Sequence, residues 1–73
     1  MRQWIDRFAA EAGTEPPDDR TVEGLLELAG TAAHASERTA APITCWVAAQ
    51  AGISLAKAHA IADLIAAENA EER

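Results

Sequence analysis

The stretch Ala32-Ala33-His34-Ala35-Ser36-Glu37-Arg38-Thr39-Ala40-Ala41-Pro42-Ile43-Thr44 decides how this chain folds. Its alanines favour helix on both sides, whereas the polar residues in the middle interrupt the apolar periodicity. The stretch is therefore predicted to close one amphipathic helix, cross a short turn and open a second helix at Pro42, a residue suited to the first helical position. We call residues 34–44 the elbow.

Two amphipathic helices are predicted before the elbow. The first spans residues 2–12 and ends at Gly13, which is followed by a pair of prolines. The second begins after Asp18 or Asp19, because either carboxylate can cap it. Gly30, beside its apolar stripe, is expected to let a neighbouring helix come close. The apolar stripe of the second helix consists of Val22, Leu25, Leu26, Ala29, Ala32 and Ala33.

Two further helices are predicted after the elbow. Residues 42–51 are apolar on nearly every face, a pattern typical of the buried centre of a small bundle, so Ile43 is expected in the core. Gly52 ends this helix and Ser54 caps the next one. The inner face of the fourth helix is predicted to comprise Ala58, Ile61, Ala62 and Ile65. The acidic residues of 68–73 would lie at a negative helix end, where fraying is expected.

These patterns predict an all-α protein without β-strands. The expected architecture is a compact four-helix domain over residues 1–67, with a short buried third helix and a frayed acidic tail at 68–73. A chain of 73 residues buries only about 60% of the surface that its unfolded form exposes, so its stability is marginal. Small domains of this kind are commonly stabilised by forming oligomers. A homodimer is therefore expected.

Composition limits the classes of partner. The net charge is −6 and the sequence pI is about 4.6, which argues against nucleic acid and anionic membranes, since both attract basic proteins. A single cysteine, Cys45, excludes an intrachain disulfide and suits a reducing compartment. No apolar run approaches the roughly 20 residues of a membrane span, and the N-terminus lacks a signal-peptide core. We expect a soluble cytoplasmic protein.

Polar side chains of the elbow form the candidate partner-binding site. They are His34, Glu37, Arg38, Thr39 and Thr44. Arg38 can bind an anion, with His34 as a titrating or hydrogen-bonding neighbour. The alternative is purely structural: His34 meets the last carbonyls of the second helix, while Glu37 and Arg38 tie the elbow together. No nucleophile–base pair is recognisable, so no catalytic residue is predicted.

No metal or cofactor site is predicted either. The candidate ligands His34, Cys45 and His59 fall on three different segments, whereas a structural zinc site requires four ligands. His59 is expected on the outer side of the fourth helix. Cys45, next to Trp46, is expected to be an inert core thiol.

Residues 47–58 resemble the helix-turn-helix of repressor-type DNA-binding proteins. They contain a helix, a glycine turn, an apolar residue and a serine that opens the next helix. A recognition helix should carry side chains that read bases and phosphates, and this one offers only Ser54, Lys57 and His59. A DNA-binding regulator that uses residues 47–60 is the alternative function.

Several motifs together resemble a small actinobacterial helical domain family of unknown function, over roughly residues 3–65. They are Trp4-Ile5-Asp6, Pro16-Pro17-Asp18, Leu25-Leu26-Glu27-Leu28-Ala29 and the elbow pattern His34…Glu37-Arg38…Ala40-Ala41-Pro42-Ile43-Thr44. Thr39 stands where the family would be expected to have proline. Members occur alone or fused C-terminally to molybdenum-cofactor guanylyltransferases (molybdopterin-guanine dinucleotide synthases).

The resemblance implies a context in molybdenum-cofactor maturation and no catalytic residue. Combined with the composition, it predicts a non-catalytic protein-interaction or accessory module without a cofactor. The expected partner is a protein, namely a nucleotidyltransferase or a molybdoenzyme.

Overall fold

The structure, a computed structural model, describes residues 1–71, and within that range its regular elements are all helices. They are α1 (Arg2–Ala12), α2 (Asp19–Ala35), α3 (Ala40–Ala51) and α4 (Leu55–Glu71). The all-α, four-helix prediction is confirmed. Because α4 continues through Glu71, the domain boundary expected at residue 67 falls inside a helix. Residues 72–73 of the predicted tail lie outside the described residues.

The centre of the molecule is α2. Both α3 and α4 pack along it, and they make far less contact with each other. Leu28 of α2 is completely buried, and Ala32, one turn further on, is buried beside it. Leu28 lies outside the stripe predicted from the sequence. Since α2 is contacted by two helices, its buried arc differs from that of a helix that packs on one side only.

The third helix is not the buried element that its sequence predicted. None of its residues is buried, and Ile43 and Trp46 are each 63% exposed. One side of α3 packs on α2, while no other helix of residues 1–71 covers the opposite side. The prediction of a short buried third helix is therefore wrong. An apolar helix is buried when other helices surround it, and within residues 1–71 only α2 packs closely on α3.

Four helix ends follow the predicted capping, whereas α3 begins at Ala40, two residues before the predicted start at Pro42. Asp18 caps α2 by accepting a hydrogen bond from the backbone N–H of Thr21 at 2.8 Å, and hydrogen bonding to Thr21 lowers the pKa of this carboxyl below its ordinary value of 3.8. Gly13 and Gly52 end α1 and α3 with φ of 79° and 68°, left-handed values that favour glycine. Ser54 Oγ accepts from the N–H of Lys57 at 3.1 Å.

Of the two glycines of α2, Gly24 rather than Gly30 is the one that α4 approaches closely. A Cβ on Gly24 would lie 2.9 Å from Cδ1 of Leu55, whereas one on Gly30 would have no neighbour within 4 Å. The Gly24 carbonyl also lies 2.9 Å from Nε2 of His59. His59 is thus half-buried against α2, and its expected outward position is wrong. A side chain at position 24 would require the Leu55 side chain to move.

By contrast, α1 makes few contacts with the other helices. Arg2 donates a hydrogen bond to the carbonyl oxygen of Pro17, and Ile5 borders a cleft shared with the first turns of α2. The large side chains of Trp4 and Phe8 are exposed, whereas Ala9 is the buried residue of this helix. The molecule measures 44 × 21 × 19 Å. No helix in the described part of the chain has the length and apolar character to cross a bilayer.

Candidate functional site

The elbow turns the chain through four non-helical residues, 36–39. The N–H of Ser36 donates to the carbonyl of Ala32 at 3.0 Å, and the N–H of Ala40 donates to the carbonyl of Glu37 at 2.9 Å. The Thr39 hydroxyl donates to the Glu37 carboxylate at 3.0 Å. A local hydrogen bond between Glu37 and Thr39 therefore braces the turn at the position where proline was expected.

Arg38 does not take part in this bracing. Its side chain is exposed, and among residues 1–71 no carboxylate lies within ion-pair distance of it. In the structural alternative, Glu37 and Arg38 were expected to hold the elbow together. In the structure, the hydrogen-bond partner of the Glu37 carboxylate is Thr39. The guanidinium remains accessible to a ligand or protein partner.

His34 lies in the last turn of α2, whereas Arg38 lies in the turn that follows this helix. His34 is exposed and borders a shallow depression with Ala66, Asn69 and Ala70 of α4. The side chain that reaches a terminal carbonyl of α2 is Asn69, whose amide donates to the Ala35 carbonyl at 3.5 Å. Asn69, which the sequence placed in a frayed tail, is thus the residue that sequence reasoning missed. Its position in a predicted acidic tail gave no signal of this contact.

Thr44 lies inside α3 and lines a groove that extends to Ser36 of the turn. This groove runs between α3 and α4 and is floored by Leu28 and Ala32 of α2. It exists because α3 and α4 each pack on α2 but not closely on each other. Its residues at the elbow end include Ser36, Ala40, Thr44, Ile65 and Asn69. Of the five predicted site residues, three lie at the turn, while His34 and Thr44 face different depressions.

Large apolar side chains flank this groove on both sides. Along α3 they recur at i, i+3 and i+4, and along α4 they do so again, which places each set on one side of its helix. All six are exposed: Ile43, Trp46, Val47, Ile61, Leu64 and Ile65. Val47, Ile61 and Ile65 border the groove directly. We call these six residues the α3–α4 face.

The residues proposed to read DNA are largely occupied within the molecule. Ser54 accepts the capping hydrogen bond from Lys57, and His59 is bound to the carbonyl of Gly24. Lys57 itself is exposed. The turn between α3 and α4 nevertheless has the predicted form, a left-handed Gly52 followed by a serine cap.

The candidate metal ligands are not brought together. His34 is at the end of α2, His59 faces Gly24, and the half-buried Cys45 has its sulfur 4.0 Å from the Leu25 carbonyl oxygen. Across residues 1–71, no group of three or more His, Cys, Asp or Glu side chains is placed to hold a metal ion.

The fold and these surfaces define a small all-α domain whose main exposed feature is an apolar face beside a polar turn. The whole chain, residues 1–73, matches the family described as Domain of unknown function (DUF6457). The chain belongs to this family, so the resemblance to a family of unknown function is confirmed at that level. Searches of curated proteins and of solved structures gave no significant match.

Proposed function

We propose that this chain is a non-catalytic protein-interaction module, and that it serves as an accessory to molybdenum-cofactor maturation. The observation that carries the interaction role is the imbalance between buried and exposed apolar side chains. Ten large apolar side chains are exposed, whereas Leu28 is the one large side chain of the described residues that is fully buried. Contiguous apolar patches on a soluble domain commonly mark interaction sites.

The elbow is the candidate contact for a heterologous partner. Arg38 presents a guanidinium that is not paired within residues 1–71, and a guanidinium is well suited to bind a carboxylate or phosphate with two parallel hydrogen bonds. The link to a molybdenum-cofactor nucleotidyltransferase or a molybdoenzyme comes from the resemblance of the elbow sequence to domains fused to such enzymes. The non-catalytic role rests on the lack of a recognisable nucleophile–base pair in the sequence.

A pull-down from native cell extract with the full chain as bait tests this proposal. We expect the wild-type chain to capture a nucleotidyltransferase or a molybdoenzyme, and we expect Arg38→Ala to reduce the yield several-fold. Arg20→Ala is the matched control, because Arg20 is also exposed but lies at the opposite end of α2. Both variants should melt close to the wild type, since an exposed charge contributes only about 0–1 kcal/mol.

Two results would count against the elbow. If Arg38→Ala captures the partner as well as the wild type does, the partner does not use this side chain. If Arg38→Ala unfolds as readily as a core variant does, the elbow is structural.

A DNA-binding regulator is the second candidate, supported by the Gly52–Ser54 turn between α3 and α4. The acidic net charge of −6 and the internal contacts of Ser54 and His59 make it the weaker one.

A further inference from the structure

We infer that the α3–α4 face is the interface of a homodimer, in which a second copy of this chain covers the groove and α4 packs antiparallel to α4 of its partner. This inference rests on the interaction role proposed above and specifies the partner at that face. Three observations support it: the shape of the face, the placement of charges around it, and the accessible surface of the isolated chain.

The shape of the face suits a two-fold interface. Such an interface is self-complementary, because the same patch is used by both copies. The α3–α4 face contains both protruding side chains and a groove that could receive them. Bulky side chains, such as Trp46 and Leu64, stand on the two helices, and a groove floored by Leu28 and lined by small residues such as Ala48 and Ala62 lies between them. A protruding side chain of one copy can enter the groove of the other.

The charges around the face are also self-complementary. Helix α3 carries no Asp, Glu, Lys or Arg, so none of the residues that make up the net charge of −6 lies on this helix. On α4, Lys57, Ile61, Leu64 and Glu68 follow the spacing i, i+4, i+7 and i+11, which places them on one side of the helix. In an antiparallel pair, Lys57 of each copy lies at the end where the other copy has Glu68. Two ion pairs then flank an apolar centre.

The accessible surface indicates how much area is left to cover. The chain exposes 5786 Å², whereas a folded monomer of 7.7 kDa exposes about 4,300 Å². The excess, about 1,500 Å², is summed over the whole chain, including the exposed Trp4 and Phe8 of α1, and it is larger than the roughly 800 Å² that each partner buries in a standard interface. A second copy on the α3–α4 face would therefore bring the exposed surface per chain towards an ordinary value.

Light scattering and analytical ultracentrifugation of the full chain between about 1 and 100 μM test the inference. We expect the wild type to have twice the mass of 7.7 kDa, and Leu64→Glu to be a monomer over the same range. Leu26→Glu is the matched control: Leu26 and Leu64 are both 60% exposed, but Leu26 borders the cleft beside α1. It should remain a dimer. Circular dichroism establishes that both variants are folded.

A charge exchange tests the antiparallel arrangement. Lys57→Glu and Glu68→Lys each place two like-charged pairs at the ends of the interface, so each should weaken the dimer several-fold. The double variant, Lys57→Glu with Glu68→Lys, restores both pairs and should recover the wild-type dissociation constant. Additive weakening in the double variant would overturn the arrangement.

Different results would contradict the homodimer and the accessory role. A wild-type mass of 7.7 kDa at all concentrations, or dissociation by Leu26→Glu but not by Leu64→Glu, would overturn the homodimer. In that case a heterologous protein whose capture requires Leu64 would leave the interaction role intact. Conversely, if the chain is a dimer but captures no nucleotidyltransferase or molybdoenzyme, the homodimer is supported and the accessory role is contradicted.

Discussion

The start of α2 depends on the carboxylate of Asp18, which accepts the hydrogen bond from the N–H of Thr21. The bond satisfies one of the N–H groups that the first turn of a helix leaves unpaired. Asp18→Ala is therefore expected to lower the melting temperature by a few degrees at pH 7, whereas Asp18→Asn, which keeps an acceptor oxygen, should lower it much less. Thermal unfolding followed by circular dichroism measures both.

The pH dependence of this cap has a definite sign. Hydrogen bonding to Thr21 lowers the pKa of Asp18 in the folded state below 3.8. The ionised carboxylate therefore stabilises the fold above the unfolded-state pKa, and this stabilisation is lost as the pH falls through the folded-state value. The melting temperature of the wild type should fall towards that of Asp18→Ala below about pH 4. A difference between the two proteins that stays constant from pH 7 to about pH 2.5 would contradict this.

At the scale of helices, the core lies where α3 and α4 meet α2. Leu28 is completely buried, so Leu28→Ala is expected to reduce the free energy of unfolding by roughly 2–5 kcal/mol. Ile43 is mostly exposed, so Ile43→Ala should cost less than about 0.5 kcal/mol. Urea unfolding of both variants in the Leu64→Glu background makes the comparison, since self-association would otherwise add to the measured stability. Equal losses would place Ile43 in the core.

The helices were predictable from local signals, but their packing was not. Gly13, Asp18, Gly52 and Ser54 act at helix ends through contacts with near neighbours in sequence, which a sequence pattern reveals. The burial of Leu28 depends on which helices reach α2 and from which sides. This arrangement of helices is a tertiary property, and it cannot be predicted from the apolar periodicity of a single helix.

For the whole molecule, charge is the property that determines its response to DNA. With a net charge of −6, the chain has little basic surface with which to displace counterions from phosphates. We expect no binding to duplex DNA tighter than about 10⁻⁴ M at physiological salt. A fluorescence anisotropy titration measures this, with Lys57→Glu as a variant that should make no difference. Submicromolar, salt-sensitive binding that Lys57→Glu abolishes would favour the regulator.

The candidate site was only partly predictable for a related reason. The polar residues Glu37, Arg38 and Thr39 stand together in sequence and therefore at one turn. The α3–α4 face is formed by residues from two helices. From the sequence, Trp46 and Ile61 were predicted to be core residues, because apolar side chains are usually buried. They are exposed because α3 and α4 each pack on α2, and no other helix of residues 1–71 lies over the groove.

The weak attachment of α1 to the rest of the fold has a consequence for cooperativity. An isolated helix of 11 residues is marginal in water, and this one makes few contacts with the other helices, with Ala9 as its buried residue. The free energy needed to open α1 is therefore lower than that needed to unfold the unit formed by α2, α3 and α4. The amide protons of α1 should exchange with solvent through a subglobal opening, at rates independent of the global stability.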